Sequence, residues 1–231
     1  MISLSAYPRV VVFTGAGMSA ESGVPTYRGR GGIWNQYRYE DYACERAFRK
    51  NAGAVLDFHE VRRQRVLACA PHDGHFHLAK LQERHPDLAI VTQNIDGMHQ
   101  RAGARVAAEL HGSLWRMRCP THGISDDAGS GPFRTRQCER CGATLRPDIV
   151  WFEDAVDAGV FAAAERLIAR CDLFVSIGTS AIVMPAASLV PFGRRPRPRL
   201  VEINPEETEA SAGFDESWRE PASRLGELLG A

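Results

Sequence analysis

The chain has 231 residues, room for one large domain or for one domain with a small inserted module. Its 28 acidic residues balance 28 basic ones, and 44% of the chain is apolar. That balance excludes a polyelectrolyte built to coat nucleic acid or an anionic membrane, and it excludes wholesale disorder. No run approaches the roughly 20 apolar residues that span a bilayer, and residues 1–9 lack the basic start and long apolar stretch of a secretory leader. A soluble, cytoplasmic protein with neither a membrane nor a nucleic-acid partner is expected.

In chain order, residues 9–14 are a β-branched run ending at Gly15, the pattern of a strand buried on both faces. The stretch 28–43 carries Gly29, Gly31 and Gly32 and predicts a mobile loop. Helical patterns cover 52–69 and 75–84, and residues 88–92 predict a second strand. Residues 116–146 break the alternation. They are rich in Gly, Ser, Thr and Arg and too long for a structureless loop, so they predict a small inserted module. A helix over 156–170, strands over 172–177 and 199–203, and a last helix over 221–229 complete the chain. The basic, proline-rich run 193–199 reads as a solvated loop. Strands alternating with helices predict an α/β fold with a doubly wound parallel sheet, and ligands then bind beyond the carboxyl ends of the strands. Each predicted strand ends there in small or polar residues.

Gly15-Ala16-Gly17-Met18-Ser19-Ala20 follows the first strand and fits a dinucleotide-binding fingerprint with alanine at the third small position. Gly15 allows the tight turn, and Gly17 lets backbone amides approach a pyrophosphate. The acidic residue expected about 20 positions later is missing, because the chain there reads Gly32-Ile33-Trp34-Asn35. That argues against an ordinary dehydrogenase. Cys119 and His122 form one ligand pair, Cys138 and Cys141 a second, and residues 123–137 separate them. Two such turns complete a tetrahedron around zinc, and four protein ligands make the site structural. The remaining cysteines, Cys44, Cys69 and Cys171, read as small core residues. Gln93-Asn94-Ile95-Asp96 follows the second strand and lines the crevice with amide and carboxylate groups. His111 is a candidate general base.

These motifs, with residues 15–28, 92–99, 110–113, Gly178-Thr179-Ser180 and Ile203-Asn204, occur in the order found in sirtuins. The chain resembles that family of NAD-dependent protein-lysine deacylases over nearly its whole length. The resemblance implies a Rossmann-like large part over about 1–28, 71–115 and 150–231. It implies a small part made of a helical cofactor-loop region, 29–70, and the zinc module, 116–149. Gly15, Ala16, Gly17, Glu21, Tyr27 and Arg28 would surround the cofactor's phosphates and nicotinamide ribose, with Gln93 and Asn94 at that ribose. Ile95 and Asp96 would receive the nicotinamide carboxamide. Gly178, Thr179, Ser180, Asn204 and Ala222 would hold the phosphates and the adenosine half. His111 would be the base, with Asn94 beside it. The implied reaction transfers the acyl group of an acylated-lysine protein to the ADP-ribose portion of NAD, giving free lysine, nicotinamide and O-acyl-ADP-ribose.

Within the family the chain is similar to the desuccinylating branch, class III. Thr26 stands where many members have Asp, Ala43 matches a residue that widens the acyl pocket, and Arg62 matches the arginine that grips an acidic acyl group. The tyrosine of that Tyr-x-x-Arg pair is here His59. At i and i+3 on one helix, His59 and Arg62 are expected to face one pocket, and a bound succinyl group is expected to draw a proton onto His59. Val150, Trp151 and Phe152 match the strand that pairs with substrate backbone. Glu153 stands beside them at a usual glycine position. A plain deacetylase, an ADP-ribosyltransferase or NAD hydrolase, and a non-catalytic NAD sensor are the alternatives on the same scaffold.

Overall fold

The computed structural model describes residues 1–27, 32–129 and 131–230. In chain order β1 (Ile2–Ser3) and β2 (Val10–Thr14) precede three helices, α1 (Tyr39–Tyr42), α2 (Glu45–Lys50) and α3 (Ala52–Leu67). Then come α4 (Asp73–Arg84), β3 (Leu88–Thr92), α5 (Met98–Arg101) and β4 (Val106–Glu109). β5 (Gly112–Cys119), β6 (Gly123–Asp126) and β7 (Arg146–Ile149) follow. The chain closes with α6 (Ala158–Arg170), β8 (Leu173–Ile177), β9 (Arg199–Ile203), β10 (Glu216–Trp218), α7 (Leu225–Leu228) and β11 (Leu229–Gly230).

Six strands form one parallel sheet in the order β10-β9-β8-β2-β3-β4. All five residues of β2 and of β8 are buried, and their alternation explains the unbroken apolar runs. Val10 and Val12 point to the face covered by Leu78 and Leu81 of α4 and Leu225 of α7. Val11 and Phe13 point to the face covered by Ala164 and Ile168 of α6. A strand with helices on both faces has no polar side to offer. From β2 the chain winds outward through β3 and β4, then returns to the other flank of β2 with β8, β9 and β10. The topological switch point therefore lies between β2 and β8.

The helices begin where side chains satisfy free backbone amides. Asn51 Oδ1 accepts Ala54 N at 3.0 Å ahead of α3, and Asp157 Oδ1 accepts Val160 N at 2.9 Å ahead of α6. His72 Nδ1 accepts Gly74 N at 3.0 Å, which starts α4 at Asp73, two residues before the expected 75. The last predicted helix, 221–229, is instead a 3₁₀ turn at Ala222–Arg224, then α7, then β11, which pairs in parallel with β1.

The second sheet, β6-β5-β7, is antiparallel and accounts for much of the predicted module. Leu56 of α3 packs with Met117, Phe133 and Leu145 in that module's core. A further cluster joins Ala43, Val55, Ile95, Met98, Leu114 and Trp151, so α1–α3 and the small sheet sit against the loop after β3. Among the described residues no helix is long and apolar enough to cross a membrane.

Candidate active site and metal centre

Parallel strands put the loops after β2, β3, β8 and β9 on one edge, and hydrogen bonds lace them together. Gly15 N donates to Ile177 O at 3.0 Å, Gly17 N to Gly178 O at 2.8 Å and Gly178 N to Ile203 O at 3.0 Å. Gln93 Nε2 donates to Thr179 Oγ1 at 2.9 Å, and Asn204 Nδ2 to Thr179 O at 3.3 Å. Gly17 was expected to open the backbone to a pyrophosphate, yet its nearest demand comes from the protein. A Cβ there would lie 2.7 Å from Gly178 Cα, and one on Gly178, whose φ is +59°, would lie 2.3 Å from Met18 N. The glycines let the loops on either side of the switch point touch. The fingerprint opens a seven-residue 3₁₀ helix, Ala16–Ser22. Glu21 on it accepts Ser223 N at 2.9 Å and Ser223 Oγ at 2.7 Å, which ties it to the turn that contains the buried Ala222. Ser180 follows Thr179 half-buried, and Arg28 lies outside the described residues.

Polar groups converge beneath this edge. Asn94 and Asp96 are buried, and with Ala16, Tyr27, Arg62 and Ile95 they line one cavity. Asn94 Nδ2 donates to Gly15 O at 2.9 Å. Asp96 Oδ1 accepts Met98 N at 2.9 Å. Burial pushes the Asp96 carboxyl up, against the pull of Met98 N and the Ser19 hydroxyl. His111 Nδ1 lies 2.9 Å from Gln93 O. A carbonyl only accepts, so the proton sits on Nδ1 and Nε2 keeps its lone pair. Burial also lowers the His111 pKa, opposed by that carbonyl, so the ring stands neutral and ready to take a proton at pH 7.

The sequence reading did not single out Ser19, His75, His99 and Thr14 individually, all of them buried. His75 Nδ1 accepts His72 N at 3.4 Å, so Nε2 carries the hydrogen toward Ser19 Oγ at 3.3 Å. His99 Nε2 lies 3.0 Å from Thr14 Oγ1. Burial lowers these imidazoles to about 2 for His75 and about 4 for His99. Ser19 and His99 lie inside the quoted motifs, which was the available signal. His75 sits on an amphipathic helix and gives none.

Cys119, His122, Cys138 and Cys141 bring their ligand atoms within 4.8 Å of one another. Cys119 Sγ is 3.7 Å from His122 Nδ1 and 3.6 Å from Cys141 Sγ, and Cys138 Sγ is 3.4 Å from His122 Nδ1. A zinc ion with sulfur at about 2.3 Å and nitrogen at about 2.0 Å gives tetrahedral edges of about 3.5–3.8 Å, so the donor set fits zinc. Gly123 and Gly142 follow the two pairs with φ of +76° and +72°, which lets each turn close tightly. Cys119 ends β5, while His111 precedes it. Eight residues of strand span roughly 25 Å, so the metal centre is structural and remote from His111.

The predicted acyl residues divide. Arg62 lines the cavity and donates from Nη2 to the Tyr27 hydroxyl at 2.7 Å. His59 does not share it. It is only 1% exposed, and its Nε2 accepts Trp151 Nε1 at 3.2 Å. Burial first, then the Arg62 charge, lowers its pKa to about 3. The expected proton uptake on His59 is therefore overturned, because the ring stays neutral at any working pH. Ala43 is buried and accepts Phe152 N at 2.9 Å. Val150 N donates to His111 O at 2.9 Å, which sets the segment beside that histidine. Trp151 stacks on His59, with Arg146 over its ring and Phe48 tilted against it, and Phe152 packs on Tyr39 and Trp34.

Comparison with known proteins agrees with this geometry. An NAD-dependent protein deacylase of Aquifex aeolicus is 38% identical over 216 residues, covering 93% of this chain and 90% of that protein. The crystal structure of a Sir2 homologue–NAD complex is 36% identical, with a TM-score of 0.87 over 97% of this chain and 89% of that one. A Sir2 structure with a deacetylated p53 peptide and 3'-O-acetyl-ADP-ribose is 28% identical, with a TM-score of 0.81 over 97% and 93%. The Sir2 family profile matches residues 15–185, and the chain belongs to the Sir2 family.

Proposed function

We propose that this chain is an NAD-dependent protein deacylase that removes acyl groups from lysine side chains. One observation carries the reading. His111 is held neutral, its Nδ1 proton committed to the Gln93 carbonyl, next to the loop that buries Asn94 and Asp96 at the switch point. A general base needs that protonation state and an available Nε2. The relatives of similar length that carry the deacylase name support it.

NAD fits the crevice, where the buried Asn94 shares one cavity with Ala16, Ile95 and Asp96. When bound, NAD supplies an electrophilic ribose carbon and nicotinamide as leaving group. Gly15, Ala16, Gly17, Gln93, Thr179, Ser180 and Asn204 would hold its ribose and phosphates. Asn94 orients, Ile95 and Asp96 receive the carboxamide, and His111 Nε2 takes a proton from the reacting hydroxyl. Val150, Trp151 and Phe152 would seat the peptide. Arg62, permanently cationic and in the same cavity, favours an acidic acyl group such as succinyl alongside acetyl.

The test is nicotinamide release with acylated and with bare peptide. Release should require the acyl group, and His111→Ala should lower it by about 10² to 10⁴ while NAD still binds. Equal release with bare peptide would make the protein an NAD hydrolase or ADP-ribosyltransferase. Absent release with retained NAD binding would make it a sensor.

A further inference from the structure

We infer that Glu153 selects substrates by sequence, its carboxylate meeting an arginine or lysine of the peptide next to the acylated lysine. This rests on the deacylase reading above, with the peptide seated along residues 150–152. Glu153 follows that segment directly and holds φ at +74°. It is the third residue of a turn closed by Asp154 N, which donates to Trp151 O at 3.1 Å. A left-handed residue at that position is ordinarily Gly or Asn. The turn is held from both sides. Asp154 Oδ2 accepts Trp151 N at 3.1 Å and Arg146 Nη2 at 2.6 Å, and the Arg146 guanidinium carbon lies 3.6 Å from the centre of the Trp151 ring. Strain of this kind persists where the surroundings over-determine the backbone, and it gathers at functional sites.

The position and the chemistry agree. Phe152 stands 5.5 Å from Trp34, and Trp34 stands 6.0 Å from Tyr27, centre to centre, so a row of rings leads from Glu153 to the cavity that Tyr27 lines. Among the described residues neither the N–H nor the C=O of Glu153 bonds to the protein. Both are open to an extended backbone laid alongside. The side chain is 54% exposed, and its one ionic contact is Arg46 Nη2 at 3.3 Å. A carboxylate has about four lone-pair sites, so most of its accepting capacity is unused. Arg46 belongs to α2, whereas Glu153 continues the seat itself. Acylation removes the target lysine's own charge, so the cation that Glu153 meets comes from a neighbouring residue of the peptide. The alternative occupant, an acidic neighbour drawn to Arg46, is an outcome of the test.

The measurement is kcat/KM on one acyl-lysine peptide made in three versions, with Arg, Gln or Glu at the residues flanking the acyl-lysine. Taking ratios between versions cancels changes in NAD binding and in His111, and a purely structural role for Glu153 would not move them. The wild type should favour the Arg version over the Gln version by about twofold to fivefold, the range of an exposed ion pair. Salt at about 0.5 M should shrink that preference toward unity, because exposed charges are screened. Glu153→Gln keeps the shape of the side chain and should abolish the preference. Glu153→Gly, which also relieves the backbone, should abolish it too, and Glu153→Lys should invert it. Glu153→Gln with the wild-type ratios would overturn the assignment. So would a wild type that favours the Glu version, which would give the selection to Arg46, or one that turns over all three versions equally. Each of these leaves the deacylase reading intact. Nicotinamide release that no acyl peptide stimulates would overturn both.

Discussion

Glu153 holds φ at +74°, a left-handed conformation in which a Cβ crowds the neighbouring carbonyl oxygen. It follows Phe152 in the segment set beside His111, and its carboxylate lies 3.3 Å from Arg46 Nη2 on α2. Both groups are more than half exposed, so the ion pair adds little. The strain therefore exceeds what the charge returns. Glycine at this position removes the strain, whereas alanine keeps it and loses the ion pair. Glu153→Gly should be more stable than Glu153→Ala by about 1 kcal/mol, read from urea midpoints at equal slope. Alanine at or above glycine would show that the backbone there is unstrained. The sequence flagged this residue by resemblance alone, because φ leaves no mark on composition. His59 makes the complementary point. Its spacing from Arg62 allowed one shared face, but the helix rotates His59 onto Trp151, and packing across elements is not written in an i, i+3 interval.

At the scale of elements, a buried charge holds the small sheet to α3, and the four metal-ligating side chains tie the module's own turns together. Arg63 is fully buried, with Nη1 2.8 Å from Asp127 Oδ2 and 3.2 Å from Leu114 O, and Nη2 2.7 Å from Asp127 O. Its guanidinium also lies over the Trp115 and Phe133 rings. Nothing in the spacing of 52–69 announced a buried arginine, since arginine on a helix normally faces water. The metal pairs, by contrast, were legible, because ligation by turns requires a fixed local spacing that survives in sequence. The purified protein should carry one zinc per chain. Chelation should lower the melting temperature, since metal binding to the folded form alone adds to its stability. Cys141→Ala should lose the zinc and melt as the chelated protein does. Zinc-free protein with an unchanged melting temperature would assign the four side chains another role.

Across the whole molecule, the legible part was what both faces of the sheet bury. β2, β3, β8 and β9 fell within a residue of their predicted bounds because a strand under helices on both sides must be apolar throughout. The outer strands β4 and β10 were missed. They are short and only partly buried, with sequences such as Val106-Ala107-Ala108-Glu109 that carry no unbroken apolar run. The crevice at the strand ends was legible for the same reason as the central strands, and the histidines beneath it were not. Three buried histidines, two of them beneath the crevice and one against Trp151, give the molecule its response to acid. His59, His75 and His99 are buried with pKa values lowered to about 3, about 2 and about 4, each first by burial. In the unfolded chain each titrates near 6.5. Above that value both states are neutral and the three contribute nothing to the pH dependence. Below it the unfolded chain binds protons that the folded one refuses, so stability falls as pH falls. The loss keeps its full slope down to about pH 4, where His99 begins to charge in the folded state, and His59 and His75 carry it lower. Each group contributes a slope of about 1.4 kcal/mol per pH unit, and three together about 4. Against a typical total of about 5–15 kcal/mol, acid unfolding should set in between about pH 6 and 4, where most carboxylates are still ionised. Urea unfolding at pH 7.5, 6.5, 5.5 and 5.0 measures it. The expected curve is flat at the top and steepens toward a proton uptake near three by pH 5. A stability that is level from pH 6.5 to 5.0 would mean that the three imidazoles accept protons inside the fold.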